Sequence, residues 1–240
     1  MAHPSNNKML EAEKRVRAAI KGESLSLDLS GLALTQLPSS LNQLTQLQEL
    51  DLSYNQLTTL PDWIGQLTQL RESLNLSGNQ LTTLPDSLGQ LTQLRGLWLG
   101  RNQLTMLPNS FGQLSQLQQL SLTHNQLTTL PDSLGQLTQL QQLHLSGNQL
   151  TTLPDWLGQL TQLQMLSLSH NPQNVHLYSF SQLTQVRGLD LSNNQLRMFP
   201  DSLGQLTQLQ GLWLYDNQLT MLPDSLGQLA QLRRLDLEHN

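Results

Sequence analysis

The sequence predicts an α/β repeat solenoid of about ten units, each supplying one β-strand and one short return, and three observations carry that prediction. The first is a fixed period. Asparagines that close successive LxL segments fall at Asn55, Asn79, Asn102, Asn125, Asn148, Asn171, Asn194, Asn217 and Asn240, 23 residues apart except for the first interval, where 79 − 55 = 24. Leu32 takes the asparagine place one step earlier, since 55 − 32 = 23. The second is composition: leucine and glutamine dominate, while aromatic residues make up only 4% and charged residues 12% of the chain, a bias that repetition imposes. The third is the pattern inside one period. In the second unit Leu47, Leu50, Leu52, Leu57, Leu60, Ile64 and Leu67 are apolar. Positions 50 and 52 alternate as in a strand. The later LPDWIGQLTQL places a turn proline before apolar residues three apart, which suits a short helix or 3₁₀ segment.

A single 23-residue unit does not bury enough leucine to offset the entropy of ordering its own backbone. Stacked units share one apolar interior and pair their strands, so stability belongs to neighbours. The asparagine suits this scheme, because a side-chain amide can pair the backbone groups left over where the chain turns inside the coil.

Residues 1–23 read as an N-terminal capping helix. Met9, Ala12, Val16, Ala19 and Ile20 share one helical face, with Asn7 the expected N-cap and Gly22 the expected stop. Its work is to cover the first strand, since an uncapped repeat exposes its interior; a membrane-surface or partner helix is the other use of such a segment. Residues 24–240 read as the repeat domain. In RESLNLSGN, Ser73 adds one residue just before a strand, which predicts a local bulge. In HNPQNVHLYSFSQLTQV the expected leucines become Gln173 and His176 and the expected proline becomes Leu177. Val175 and Leu177 are expected to repack there in a shifted register, as a degenerate repeat or as a docking or flexing point. The chain stops at Asn240, directly after Leu235 and Leu237, with no closing helix. The domain therefore reads as truncated, with Arg233 and Arg234 near a junction and an open strand edge suited to self-association.

The chemistry is bounded too. Formal charge is −5, and the basic residues are scattered, so nothing resembles the cationic footprint a phosphate backbone requires, and nucleic acid is not an expected partner. Cysteine is absent, which removes disulfides, thiolate nucleophiles and Cys-ligated zinc together and fits a reducing compartment. The N-terminus lacks the apolar core of a signal peptide, and no segment approaches the roughly 18 apolar residues of a membrane span, so a cytoplasmic location is expected. There is no P-loop, GxSxG or HExxH motif, and no cofactor or metal is expected. His124 and His170 read as one strand position two repeats apart, about 10 Å by strand spacing and too far to share one zinc ion.

The motif LxxLxLSxNQLTxLPxxLGQLTQL resembles the intracellular 23-residue leucine-rich repeat class of bacterial type, with its LP signature. That resemblance implies a right-handed horseshoe with a parallel β-sheet on the concave side, short helical or 3₁₀ returns on the convex side, and partner binding on the sheet. The stretch EAEKRVRAAIKGESLSLDLSGLALTQLP is similar to the opening of bacterial Roco-type proteins, in which such repeats precede a GTPase module.

The outward residue between the paired leucines is, in order, Asp28, Asp51, Asn75, Trp98, Ser121, His144, Ser167, Asp190, Trp213 and Asp236. Variation concentrates here, while the rest of each repeat is nearly a copy. Trp98 and Trp213 are the expected anchors for a partner, surrounded by Tyr54, Arg101, His124, His144, Met165, His170 and Tyr215. The other reading of each tryptophan is that it lies over Gly96 or Gly211 and shields the sheet. Trp63 and Trp156, which follow LPD, are expected to cover the convex apolar edge. The function these features predict is a non-catalytic scaffold that binds a partner protein or adjoining domain on its concave face, as part of a larger intracellular signalling or effector protein. A regulatory segment of a GTPase or ubiquitin ligase, and a self-assembling structural repeat, are the alternatives.

Overall fold

The computed structural model describes residues 4–171, 183–199 and 201–240. Gln173, Val175, His176 and Leu177, which carry the expectation of a shifted register, lie outside them.

Helix α1 (Pro4–Lys21) is followed by ten three-residue strands: β1 (Ser26–Asp28), β2 (Glu49–Asp51), β3 (Ser73–Asn75), β4 (Gly96–Trp98), β5 (Gln119–Ser121), β6 (Gln142–His144), β7 (Met165–Ser167), β8 (Gly188–Asp190), β9 (Gly211–Trp213) and β10 (Arg234–Asp236). They form one sheet in sequence order, every pairing parallel. Like residues pair with like: Leu97 with Leu120, Leu120 with Leu143, Leu143 with Leu166. Each described return crosses the back as a five-residue 3₁₀ helix, such as Asp86–Gln90, which the extended Pro85 introduces.

The strand leucines and the return leucines meet in a single interior, where Leu50, Leu52, Leu97, Leu99, Leu120 and Leu122 are fully buried. The returns stack so closely that a side chain at their glycine would collide with the next coil; a methyl on Gly112 would sit 2.6 Å from the Ser133 carbonyl oxygen. Close stacking explains the glycine of the LGQL motif, which periodicity alone left without a reason.

Helix α1 buries Ala12, Val16 and Ala19 in the same core, with Met9 and Ile20 partly buried beside it. Its ends differ from the sequence expectation. The helix begins at Pro4, so Asn7 lies inside the first turn rather than capping it, which suits proline's fixed φ and missing N–H at a helix start. At the other end the left-handed residue is Glu23 (φ 48°), not Gly22. The Ser24 N–H donates to the Ala19 carbonyl at 3.0 Å and the Glu23 N–H to Ile20 at 3.4 Å, the two bonds of a Schellman termination. The extra residue near Ser73 is absorbed ahead of the strand. Ser73 itself pairs in register with Glu49, while the Arg71, Glu72 and Ser73 N–H groups all converge on the Gln48 carbonyl.

Candidate recognition surface

The surface is organised from inside by the asparagines. Asn125 Nδ2 donates to the carbonyls of Leu122, in its own coil, and Leu99, in the coil before, both at 3.0 Å, while its Oδ1 accepts the Leu104 N–H at 3.0 Å. The same three-way clasp recurs at Asn55, Asn79, Asn102, Asn148 and Asn171. Asn194 and Asn217 likewise donate to their own and the preceding coil. All eight are buried, so groups that a turn would strand in the interior are paired.

Immediately before each asparagine the backbone is left-handed. Glycine occupies this place at Gly31, Gly78 and Gly147, but Tyr54, Arg101, His124, His170, Asn193, Asp216 and His239 also hold φ between 52° and 56°. His124 and His170 are therefore turn residues at the rim rather than strand residues, a correction to the pattern-based placement, because the strand ends at the residue between the leucines. The glycines interspersed in this row were the available signal. Tyr54 and His124 each lean onto the glycine of the next coil; a methyl on Gly78 would lie 2.8 Å from Tyr54 Cδ1, and one on Gly147 would lie 2.6 Å from His124 Nδ1.

On the sheet, Trp98 and Trp213 are half-buried, each with its six-membered ring laid over its own glycine, Gly96 or Gly211. Met165, also half-buried, puts its sulfur over Gly188, beside the Trp213 ring. Tyr215 is half-buried, while Tyr54, Arg101, His124 and His170 are exposed. The row thus brings Trp213 and Met165 together across Gly188, while Trp98 stands five strands from Trp213, about 24 Å along the sheet at ordinary strand spacing. Trp156 is buried on the return side and Trp63 partly so.

Between the tryptophans lies a floor of small hydroxyls. Ser146 and Ser167 Oγ are 2.6 Å apart, Ser169 donates to Ser146 at 2.9 Å, and Ser167 donates to Asp190 Oδ2 at 3.3 Å. His144, Ser167 and Asp190 are neighbours in register, but the hydroxyl stands between imidazole and carboxylate. A nucleophilic triad needs the imidazole in the middle, so this trio does not have that geometry. Burial holds the His144 pKa below its usual value. Hydrogen bonds from the Ser30 side chain and backbone hold Asp28 below the ordinary carboxylate range. Among the described residues no three histidines or carboxylates gather as a metal-ligand set, and no helix is long and apolar enough to cross a membrane.

These features define a class: a stacked-coil scaffold whose sheet is a platform. Two family models match the sequence, one described as a leucine-rich repeat region over residues 74–174 and one as a leucine rich repeat over 25–81 and 185–240. The leucine-rich repeat domain of the type III effector XopL superposes with a TM-score of 0.78 at 25% identity, covering 96% of this chain and 82% of that one. The Arabidopsis receptor kinase HAESA, in complex with the peptide hormone IDA and the co-receptor SERK1, gives 0.76 at 34% identity, covering 92% of this chain and 39% of the receptor. A Leptospira interrogans leucine-rich repeat protein is 33% identical over 85% of this chain and 70% of its own, with a TM-score of 0.47. A comparison with curated proteins returns no match. The chain belongs to the leucine-rich repeat family, in its bacterial type, as the family models and the effector domain show.

Proposed function

We propose that the chain is a non-catalytic recognition module that binds a partner protein, or an adjoining domain of its own polypeptide, on the concave sheet. One observation carries this reading: the coils repeat almost residue for residue in their interior and returns, yet the outward sheet positions run through aspartate, asparagine, tryptophan, serine and histidine. Trp98 and Trp213 are its anchors, with Tyr54, Arg101, His124, His144, Met165, His170 and Tyr215 forming the contact surface around them. A half-buried ring on a glycine floor is already ordered, so little conformational entropy is lost when a partner covers it. HAESA, which shares the fold, is seen in complex with a peptide hormone, and that supports a polypeptide ligand here.

In this reading the module works in the cytoplasm, where a chain without cysteine loses nothing to a reducing environment, inside a larger signalling or effector protein. Its place ahead of a GTPase module, as in Roco-type proteins, rests on the similarity of the opening segment.

The test uses the full chain. Peptides selected from a random display library on the immobilised protein should lose at least about tenfold in affinity, roughly 1.4 kcal/mol, on Trp98→Ala or Trp213→Ala, with circular dichroism unchanged. Undiminished binding to both folded variants removes the tryptophans, and with them the concave reading.

A further inference from the structure

The charge on the sheet is not spread evenly. The strand-and-rim windows of the fourth to seventh coils, residues 95–101, 118–124, 141–147 and 164–170, contain Arg95, Arg101, His124, His144 and His170 and not one carboxylate. On either side carboxylates return. The first three coils present Asp28, Glu49, Asp51 and Glu72 against Arg71, and the last three present Asp190, Asp216, Asp236 and Glu238 against Arg187, Arg233 and Arg234. The back of the molecule is acidic along its length, with Asp62, Asp86, Asp132, Asp155, Asp201 and Asp224 exposed at the starts of the returns. In a chain of formal charge −5, the middle of the concave face is thus a cationic island bounded by carboxylates.

The island's groups are positioned to act outward. Arg95 and Arg101 are exposed before and after β4, and among the described residues the one carboxylate within 4.0 Å of either is Glu72, 3.9 Å from Arg95 with both side chains about half exposed. His124 and His170 are exposed on the rim. His144, half-buried at the centre, is faced from β5 by Gln119, Ser121 and the rim His124, and from β7 by Met165, Ser167 and the rim His170. The nearest carboxylate in register is Asp190, two strands on and bonded to Ser167. Nothing anionic within the island neutralises it.

We propose that the middle of the concave face, from β4 to β7, receives an acidic extended segment of a partner polypeptide, its carboxylates facing the two arginines and three histidines and an apolar side chain resting on Trp98. Three strand gaps span about 14 Å, which four or five extended residues cross. Carboxylates, which these windows carry only in the flanking coils, disfavour such a segment there and favour the middle. Arg101, His124 and His170 project from left-handed backbone where glycine would be unstrained, so each side chain stands there against a conformational cost.

This inference rests on the concave reading of function and deepens it. The experiment is fluorescence anisotropy of the full chain with fluorescein-labelled hexaglutamate, hexalysine and a six-nucleotide oligothymidylate. Hexaglutamate should bind at least about tenfold tighter than hexalysine. Arg101→Glu, and Arg95→Glu with Arg101→Glu, should abolish most of that binding, while Arg197→Glu, outside the island, leaves it unchanged. Equal or tighter binding of hexalysine, preference for the oligonucleotide, or indifference to both arginine variants overturns the proposal. Should hexaglutamate fail while library-selected peptides still require Trp98, the acidic assignment falls and the concave reading stands.

Discussion

Each buried asparagine holds two coils at once. Truncating Asn125 to alanine strands the Leu104 N–H in the interior, at about 1–3 kcal/mol, and takes one of two asparagine donors from each of the Leu99 and Leu122 carbonyls, which keep Asn102 and Asn148. Asn125→Ala should therefore lower the urea midpoint by the equivalent of about 1–3 kcal/mol, whereas Asn240→Ala, at an exposed copy of the same clasp, should change it by less than about 1. Similar losses at both sites would contradict a role in pairing interior groups. His144 gives a different signature. Its folded pKa lies below its unfolded value because burial disfavours the imidazolium, so its contribution to stability is complete above about pH 6.5 and declines as pH falls from there toward the folded pKa. Thermal melts between about pH 8 and pH 5 should show a shallower decline for His144→Gln than for the parent; parallel curves would assign the decline to other groups.

At the scale of elements, legibility followed repetition. Strand positions, returns and the buried leucines were readable because ten units state the same pattern, and drift in any one is averaged by the rest. The apolar face of α1, which occurs once, is legible from its helical spacing, but the helix ends are not. The start of α1 at Pro4 hid behind Asn7, a good capping residue that the helix passes over, and Gly22 drew the stop away from Glu23, whose neighbours Ser24 and Ala19 complete the termination. The left-handed rim escaped for a related reason: in a single unit it presents tyrosine, arginine or histidine, and only three of its ten places are glycine. Which way Trp98 lies, over Gly96 or into solvent, depends on side-chain packing that spacing does not encode. The Schellman end of α1 makes its own prediction. Glu23→Gly relieves a left-handed L-residue and should stabilise the chain by roughly 0.5–1 kcal/mol, seen as a higher Tm, although glycine's greater freedom in the unfolded chain offsets part of the gain. An unchanged or lower Tm would place that strain elsewhere.

For the whole molecule, repetition separates scaffold from surface. The interior is fixed by leucines and asparagines that neighbouring coils share, so outward side chains can vary from coil to coil with little effect on the stack. Two glycine-floored tryptophans then bracket a hydroxyl floor and a cationic island, on a sheet whose reverse side is acidic. The molecule also carries its own controls, because Met106, Met198 and Met221 are each 66% exposed on the loops that lead away from the sheet. The most direct measurement is hydroxyl-radical footprinting of the full chain with and without a library-selected peptide. Recognition on the sheet predicts that Trp98, Met165, Trp213 and Tyr215 lose reactivity while the three methionines oxidise as before. Protection of Met106, Met198 or Met221 with Trp98 and Trp213 still fully reactive would contradict it.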